Sequence, residues 1–238
     1  MTPSDYFKRV GLGLQVPVAS VERARQGLHL ALDEAKSVSV PSTPTSLAKL
    51  YEFKVPKVGP DGTCATFDEL EEKAYDLTGV LNGRNFVSTT RLMTLDALVE
   101  HCQHALGVGW LGIYQARETE RGAALVKLAY RGAPSRAEFP LTPEFAAKSN
   151  NSTVAMTGEA KVINDLPAYL ASGGAYSECD PKVKAEVCLP ILTDAGAVGV
   201  VDAEHSVAQW FTTERLALLV ALAIELPKLL PSGGLTVS

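Results

Sequence analysis

The sequence predicts an α+β fold: a mainly antiparallel central sheet flanked by helices, preceded by a helical N-terminal extension. Three observations lead there. Two pairs of alternating apolar segments, 109–116 with 124–132 and 185–192 with 196–204, are each joined by a short turn-rich link, which favours hairpins over βαβ crossovers. Apolar residues at helical spacing precede and follow these pairs, over 89–106 and 210–230. The first 65 residues differ in texture from the rest: one amphipathic stretch, then Ser, Thr, Pro and Gly in quantity.

In chain order, 18–36 (VASVERARQGLHLALDEAK) reads as a helix with Ser20 as its N-cap, and 37–46 (SVSVPSTPTS) as a linker. The stretch 54–64 is turn-rich, and 68–81 reads as a short acidic helix. The longer helix 89–106 carries Leu92, Leu95, Leu98, Val99, Cys102 and Leu106 and stops at Gly107, a residue suited to the left-handed C-cap. ETERGA is the polar loop of the first hairpin, and 143–158 is a helix with a polar middle. A short strand over 161–166 leads into a long connection, 167–184, of small and polar residues; connections of that length in compact domains are often functional. TDAG turns the second hairpin, and Thr212 or Thr213 caps the last helix. The organisation expected is an extension over 1–87, a single domain over 88–230 and a tail over 231–238.

A chain of 238 residues buries about 70% of its unfolded surface, so its core needs no disulfide or metal staple. The net charge is −5 and no block of Lys and Arg stands out, which argues against nucleic acid as a partner. The greasiest run, 216–226, is half a membrane span and is interrupted by Glu225. The first residues have no apolar signal region. The expectation is a soluble cytoplasmic protein without membrane contact, its four cysteines, Cys64, Cys102, Cys179 and Cys188, reduced. There is no Cys-x-x-Cys, and His101 and His104 lack an apparent third ligand, so no metal site is expected. The last helix is apolar nearly all round, so a second subunit or the extension must cover its outer side; a homodimer, with the extension helping, is expected.

The chemistry gathers in the second hairpin. Glu186 and Cys188 are two residues apart and share a strand face, as do Asp202 and Glu204 on the next strand. Cys179 and Asp180 lie in the preceding loop. Carboxyls in otherwise apolar strands are solvated, paired or used. If they converge, mutual repulsion raises the pKa of at least one, which supplies a neutral acid for proton donation and ionised partners for an ammonium group. Strand-end acids that are merely solvated, and an inert loop cysteine, fit the same spacing.

GWLGIYQ, a long loop ending in Cys179-Asp180, then AEVCLPIL and GAVGVVDAEHS before WFTTER, resembles a GAF domain, and within that family the free methionine-(R)-sulfoxide reductases. The resemblance covers about 88–230 and implies the GAF-like form of the α+β fold. It implies that Cys179 attacks the sulfoxide sulfur and becomes a sulfenic acid, that Glu186 protonates the departing oxygen, and that Asp180, Asp202 and Glu204 with Trp110 and Tyr114 bind free methionine sulfoxide. Glu204 stands where an Asp is usual. No bound cofactor is implied, only an external thioredoxin-like thiol reductant. The two further cysteines usual in the family are missing from 132–156, where Asn151 stands near one of the expected positions. Resolution of the sulfenic acid then falls to an external thiol or to another cysteine. Cys188 is the candidate on its shared face with Glu186, against its reading as a small buried apolar residue. The alternative function is a non-catalytic, regulatory GAF module that binds a small molecule.

Overall fold

A computed structural model describes residues 1–12, 16–36, 40–41, 43–57, 69–176 and 180–237. Cys64, Asp68 and Cys179 lie outside the described residues. Three helices open the chain: α1 (Pro3–Val10), α2 (Val18–Lys36) and α3 (Pro44–Tyr51). Two short strands, β1 (Glu52–Phe53) and β2 (Tyr75–Asp76), pair with each other before α4 (Phe86–Leu106). Then come β3 (Trp110–Thr119), β4 (Gly122–Arg131), β5 (Glu138–Pro140), α5 (Pro143–Ala146), α6 (Asn150–Thr157), β6 (Lys161–Ile163) and α7 (Leu166–Ala171). The hairpin β7 (Ala185–Thr193) and β8 (Gly196–His205) precedes α8 (Thr213–Glu225) and a 3-10 turn at Leu226–Lys228.

The main sheet is antiparallel throughout, in the order β5-β4-β3-β8-β7-β6. One face carries Leu111, Ile113, Val126, Leu128, Val187, Leu189, Val201 and Ala203 into a core shared with α1, α2, α4 and α8. The other face carries Trp110, Tyr114, Ala116, Leu125, Cys188 and Val200 into a smaller core closed by Val154 and Ala155 of α6.

Several elements differ from expectation. Residues 69–81 contain no helix. Phe53 and Tyr75 pair across β1 and β2, their rings stack at 5.5 Å, and Arg84 bridges Glu52 and Asp76, so cross-strand contacts override an acidic helical pattern. The linker over 37–46 ends in a helix, because Thr43 caps α3 by accepting the Ser46 N–H and Pro44 occupies its first turn. Ser20 is not an N-cap: its own N–H and that of Val21 donate to the Pro17 carbonyl, which puts Ser20 inside the first turn of α2. The single helix over 143–158 is two, each with its own cap, Thr142 and Ser149; Ser149 leaves helical geometry and its side chain accepts the Ser152 N–H, which restarts the helix. The long connection contains α7, capped by Asp165. Gly107 and Thr212 cap as expected.

The extension and the tail are both built into the body. Arg25 of α2 donates to Glu225 of α8 at 2.6 and 2.9 Å, and Val21, Leu28 and Leu32 join the core that buries α8. This chain's own α2 therefore covers the outer side of α8. Tyr6 of α1 donates to the Pro190 carbonyl at 2.8 Å. The buried Arg117 donates to the carbonyls of Val80 and Ser232, each at 2.7 Å, joining extension, β3 and tail. The Leu235 N–H donates to Ala116 and Val237 bridges Ala197, so the tail lines the gap where β3 and β8 part. Among the described residues no helix is long and apolar enough to cross a membrane.

Candidate functional site

Strand register builds the site in rows. Trp110 of β3 lies opposite Glu204 of β8, which lies opposite Glu186 of β7. One row along, Gly112 lies opposite Asp202, and Asp202 opposite Cys188. Directly opposed residues share a face with Cβ atoms about 5 Å apart, so all three strand carboxyls converge, flanked by Trp110 on one side and Cys188 on the other. Glu186 and Asp202 are buried, at 4% and 3% exposure, whereas Glu204 is half-buried.

Helix α6 supplies partners that sequence reasoning missed. Asn150 Nδ2 donates to Glu186 Oε1 at 2.9 Å, and Asn151 Nδ2 donates to Asp202 Oδ2 at 2.9 Å. The Cys188 thiol donates to Asn151 Oδ1 at 3.4 Å. The signal was the consecutive pair of asparagines in an otherwise helical stretch, residues that normally favour caps and turns. The Tyr176 phenol also hydrogen-bonds Glu186, so Tyr176 joins the cluster from beyond α7. Among the described residues Asp202 Oδ1 is a buried acceptor with no hydrogen-bond partner.

The electrostatics follow from this crowding. Burial raises the Glu186 carboxyl, with the Asn150 and Tyr176 hydrogen bonds and the Lys161 charge opposing. Burial and then the nearby Glu186 push Asp202 well above the usual carboxylate range. Burial, reinforced by Asp202 and Glu186, holds the Cys188 thiol protonated, and burial alone pushes Cys102 up to about 12. Burial and mutual repulsion thus disfavour the ionised carboxyls, and a cation placed among them would offset that cost.

The aromatic wall rests on two glycines. The Trp110 ring lies flat across β3, and a Cβ at Gly112 would overlap it. Gly132, at φ +124°, lets the chain turn so close that a Cβ there would sit 2.6 Å from the indole. Trp110 stacks on Tyr114 at 6.2 Å and on Tyr130 at 6.3 Å, and its indole N–H donates to the Ala133 carbonyl at 3.2 Å. Asp180 lies in the turn before β7, where its Oδ1 accepts the Lys182 N–H at 2.8 Å. Among the described residues no group of three or more His, Cys, Asp or Glu side chains is arranged to hold a metal ion.

A curled antiparallel sheet with α1, α2, α4 and α8 on one face, and α6 over a buried carboxyl cluster beside stacked aromatic rings on the other, defines an α+β domain. The model of the GAF domain family matches residues 90–226, and the chain belongs to that family. The type II free methionine-R-sulfoxide reductase from Thermoplasma acidophilum is similar in structure, at 17% identity over 63% of this chain and 99% of that one, with a TM-score of 0.53. The free methionine-R-sulfoxide reductase from Neisseria meningitidis, in complex with its substrate, matches at 20% identity over 63% of this chain and 81% of its own, with a TM-score of 0.46. The GAF domain of an Acinetobacter phosphoenolpyruvate-protein phosphotransferase matches at 18% identity, 64% and 87% coverage and a TM-score of 0.45. At these identities the likeness is one of fold. Comparison with curated protein sequences gave no match.

Proposed function

We propose that the chain binds free methionine (R)-sulfoxide in the carboxyl and aromatic site and reduces it to methionine through Cys179. The observation that carries the reading is Asp202 Oδ1, a buried acceptor without a partner among the described residues, beside two more carboxyls and a stacked indole. An ammonium group satisfies that acceptor and neutralises the cluster, while the flat face of Trp110 accepts a thioether-sized side chain. Asp202 and Glu204 hold the ammonium in this reading, Trp110 and Tyr114 pack on the side chain, and Asp180 orders the loop that carries Cys179.

In the reaction, the Cys179 thiolate attacks the sulfoxide sulfur and the S–O bond is given up as the oxygen moves to the cysteine. Glu186, whose pKa burial raises, donates its proton to that oxygen. The products are methionine and a Cys179 sulfenic acid. A thioredoxin-like dithiol then reduces the sulfenic acid, forming its own disulfide, releasing water and restoring the thiol. Cys188 is the internal candidate for resolution, and a Cys179–Cys188 disulfide found by peptide mapping after substrate oxidation establishes it. The homodimer expected from α8 needs its own evidence, since α2 covers that helix; light scattering at micromolar concentration provides it.

A second reading is favoured by one observation: asparagines, not cysteines, face the carboxyl pair from α6. That suits a non-catalytic binding module. A coupled turnover assay with free methionine (R)-sulfoxide and a dithiol reductant separates the two. Turnover abolished by Cys179→Ser supports the reductase. Binding without turnover supports the module, and turnover undiminished in Cys179→Ser overturns the assignment of Cys179.

A further inference from the structure

The extension reaches the aromatic wall through Lys127. This lysine, on β4, is fully buried. Its ammonium sits 3.9 Å from the centroid of the Tyr130 ring and 4.7 Å from that of Phe53, and it donates to the Ser135 carbonyl and hydroxyl at 2.7 and 2.8 Å. Tyr130 and Ser135 belong to the domain, but Phe53 is contributed by β1 of the extension. Phe53 is itself fixed: it stacks on Tyr75 of β2, whose hydroxyl donates to Glu138 of β5 at 2.6 Å, and it meets Tyr130 edge-on at 5.6 Å.

The loop that Lys127 holds is the one behind the indole. Ala133 accepts the Trp110 N–H, Ser135 accepts from Lys127, and the Ala137 carbonyl accepts the Lys127 backbone N–H at 2.8 Å. Tyr130 stacks directly on Trp110. An ammonium buried in a ring-walled space is held by the ring faces and its hydrogen-bond acceptors together. Removing one wall admits water to the cation and releases its grip on the loop.

We propose that the β1–β2 hairpin of the extension is part of the ligand site, with Phe53 and Lys127 as positioning residues that hold the 132–137 loop against Trp110 and thereby set ligand affinity. The affinity half of this inference rests on the reading that the carboxyl and aromatic site binds an amino acid; the loop half does not.

The test uses the full chain and two readouts: hydrogen exchange of the 132–137 backbone, with β7 as internal reference, and calorimetric titration with L-methionine. Phe53→Ala and Lys127→Met are expected to speed exchange in 132–137 and leave β7 unchanged. Each is expected to weaken L-methionine about tenfold, and Phe53→Tyr, which keeps the ring, to restore both readouts. Phe53→Leu keeps an apolar side chain without the ring face and serves if the alanine variant fails to fold. Unchanged exchange in 132–137, or exchange rising alike in 132–137 and β7, overturns the positioning role. If the wild type binds no L-methionine while the loop responds as expected, the amino-acid reading fails and the coupling of hairpin to loop stands.

Discussion

The Asn151 amide bridges Asp202 and Cys188: its Nδ2 lies 2.9 Å from Asp202 Oδ2 and its Oδ1 accepts from the Cys188 thiol at 3.4 Å. One side chain from α6 thus ties two adjacent strands and satisfies one oxygen of a buried carboxyl, while the other has no partner among the described residues. Asn151→Ala removes a donor and an acceptor from a buried site, and is expected to cost about 1–3 kcal/mol of stability by urea unfolding. Asn151→Asp places a second acid against Asp202. It is expected to be the worse of the two at neutral pH and to recover as the pH is lowered.

Glu186 and Asp202 titrate above their ordinary ranges, chiefly through burial. The folded state then binds more protons than the unfolded chain, so unfolding free energy falls as pH rises through the raised range. Glu186→Gln is expected to flatten that slope in a series of urea melts. An ammonium ligand held by Asp202 lowers that carboxyl's pKa, so its binding is expected to release protons. Titration in buffers of different ionisation enthalpy measures the release, and proton uptake on binding contradicts it.

Gly112 lets the Trp110 ring lie across its own strand. Gly112→Ala is expected to tilt the indole, cost about 1–3 kcal/mol by overpacking and weaken amino-acid binding. Near-ultraviolet circular dichroism reports the tilt. A changed spectrum with unchanged affinity removes Trp110 from the site.

The extension is clamped to the domain by Arg25 on Glu225. Burial acts to raise Glu225, but the Arg25 hydrogen bond and the Lys228 charge outweigh it, and the carboxyl is held below its ordinary value. Such a group contributes stability above the unfolded pKa and loses it as pH falls through the folded one. Arg25→Met is expected to cost about 2 kcal/mol at neutral pH, and its difference from wild type is expected to shrink as the medium becomes acidic.

Local sequence determined much of this protein, because local physics repeats along a chain. The period of two put Glu186 with Cys188 and Asp202 with Glu204 on common faces, and the spacing of apolar residues marked α2, α4 and α8. Gly107 and Thr212 announced their caps. Tertiary structure decided the rest. The acidic stretch after residue 68 became half of a hairpin because Phe53, Tyr75 and Arg84 reward pairing more than a short helix rewards its own hydrogen bonds. The asparagines of α6 reach carboxyls 36 and 51 residues away, and Lys127 is enclosed partly by a ring from the extension. The strand register that lines up Trp110, Glu204 and Glu186 in one row is likewise set between segments. Periodicity tells each segment which face to bury, but only the docking of remote segments decides what that face meets.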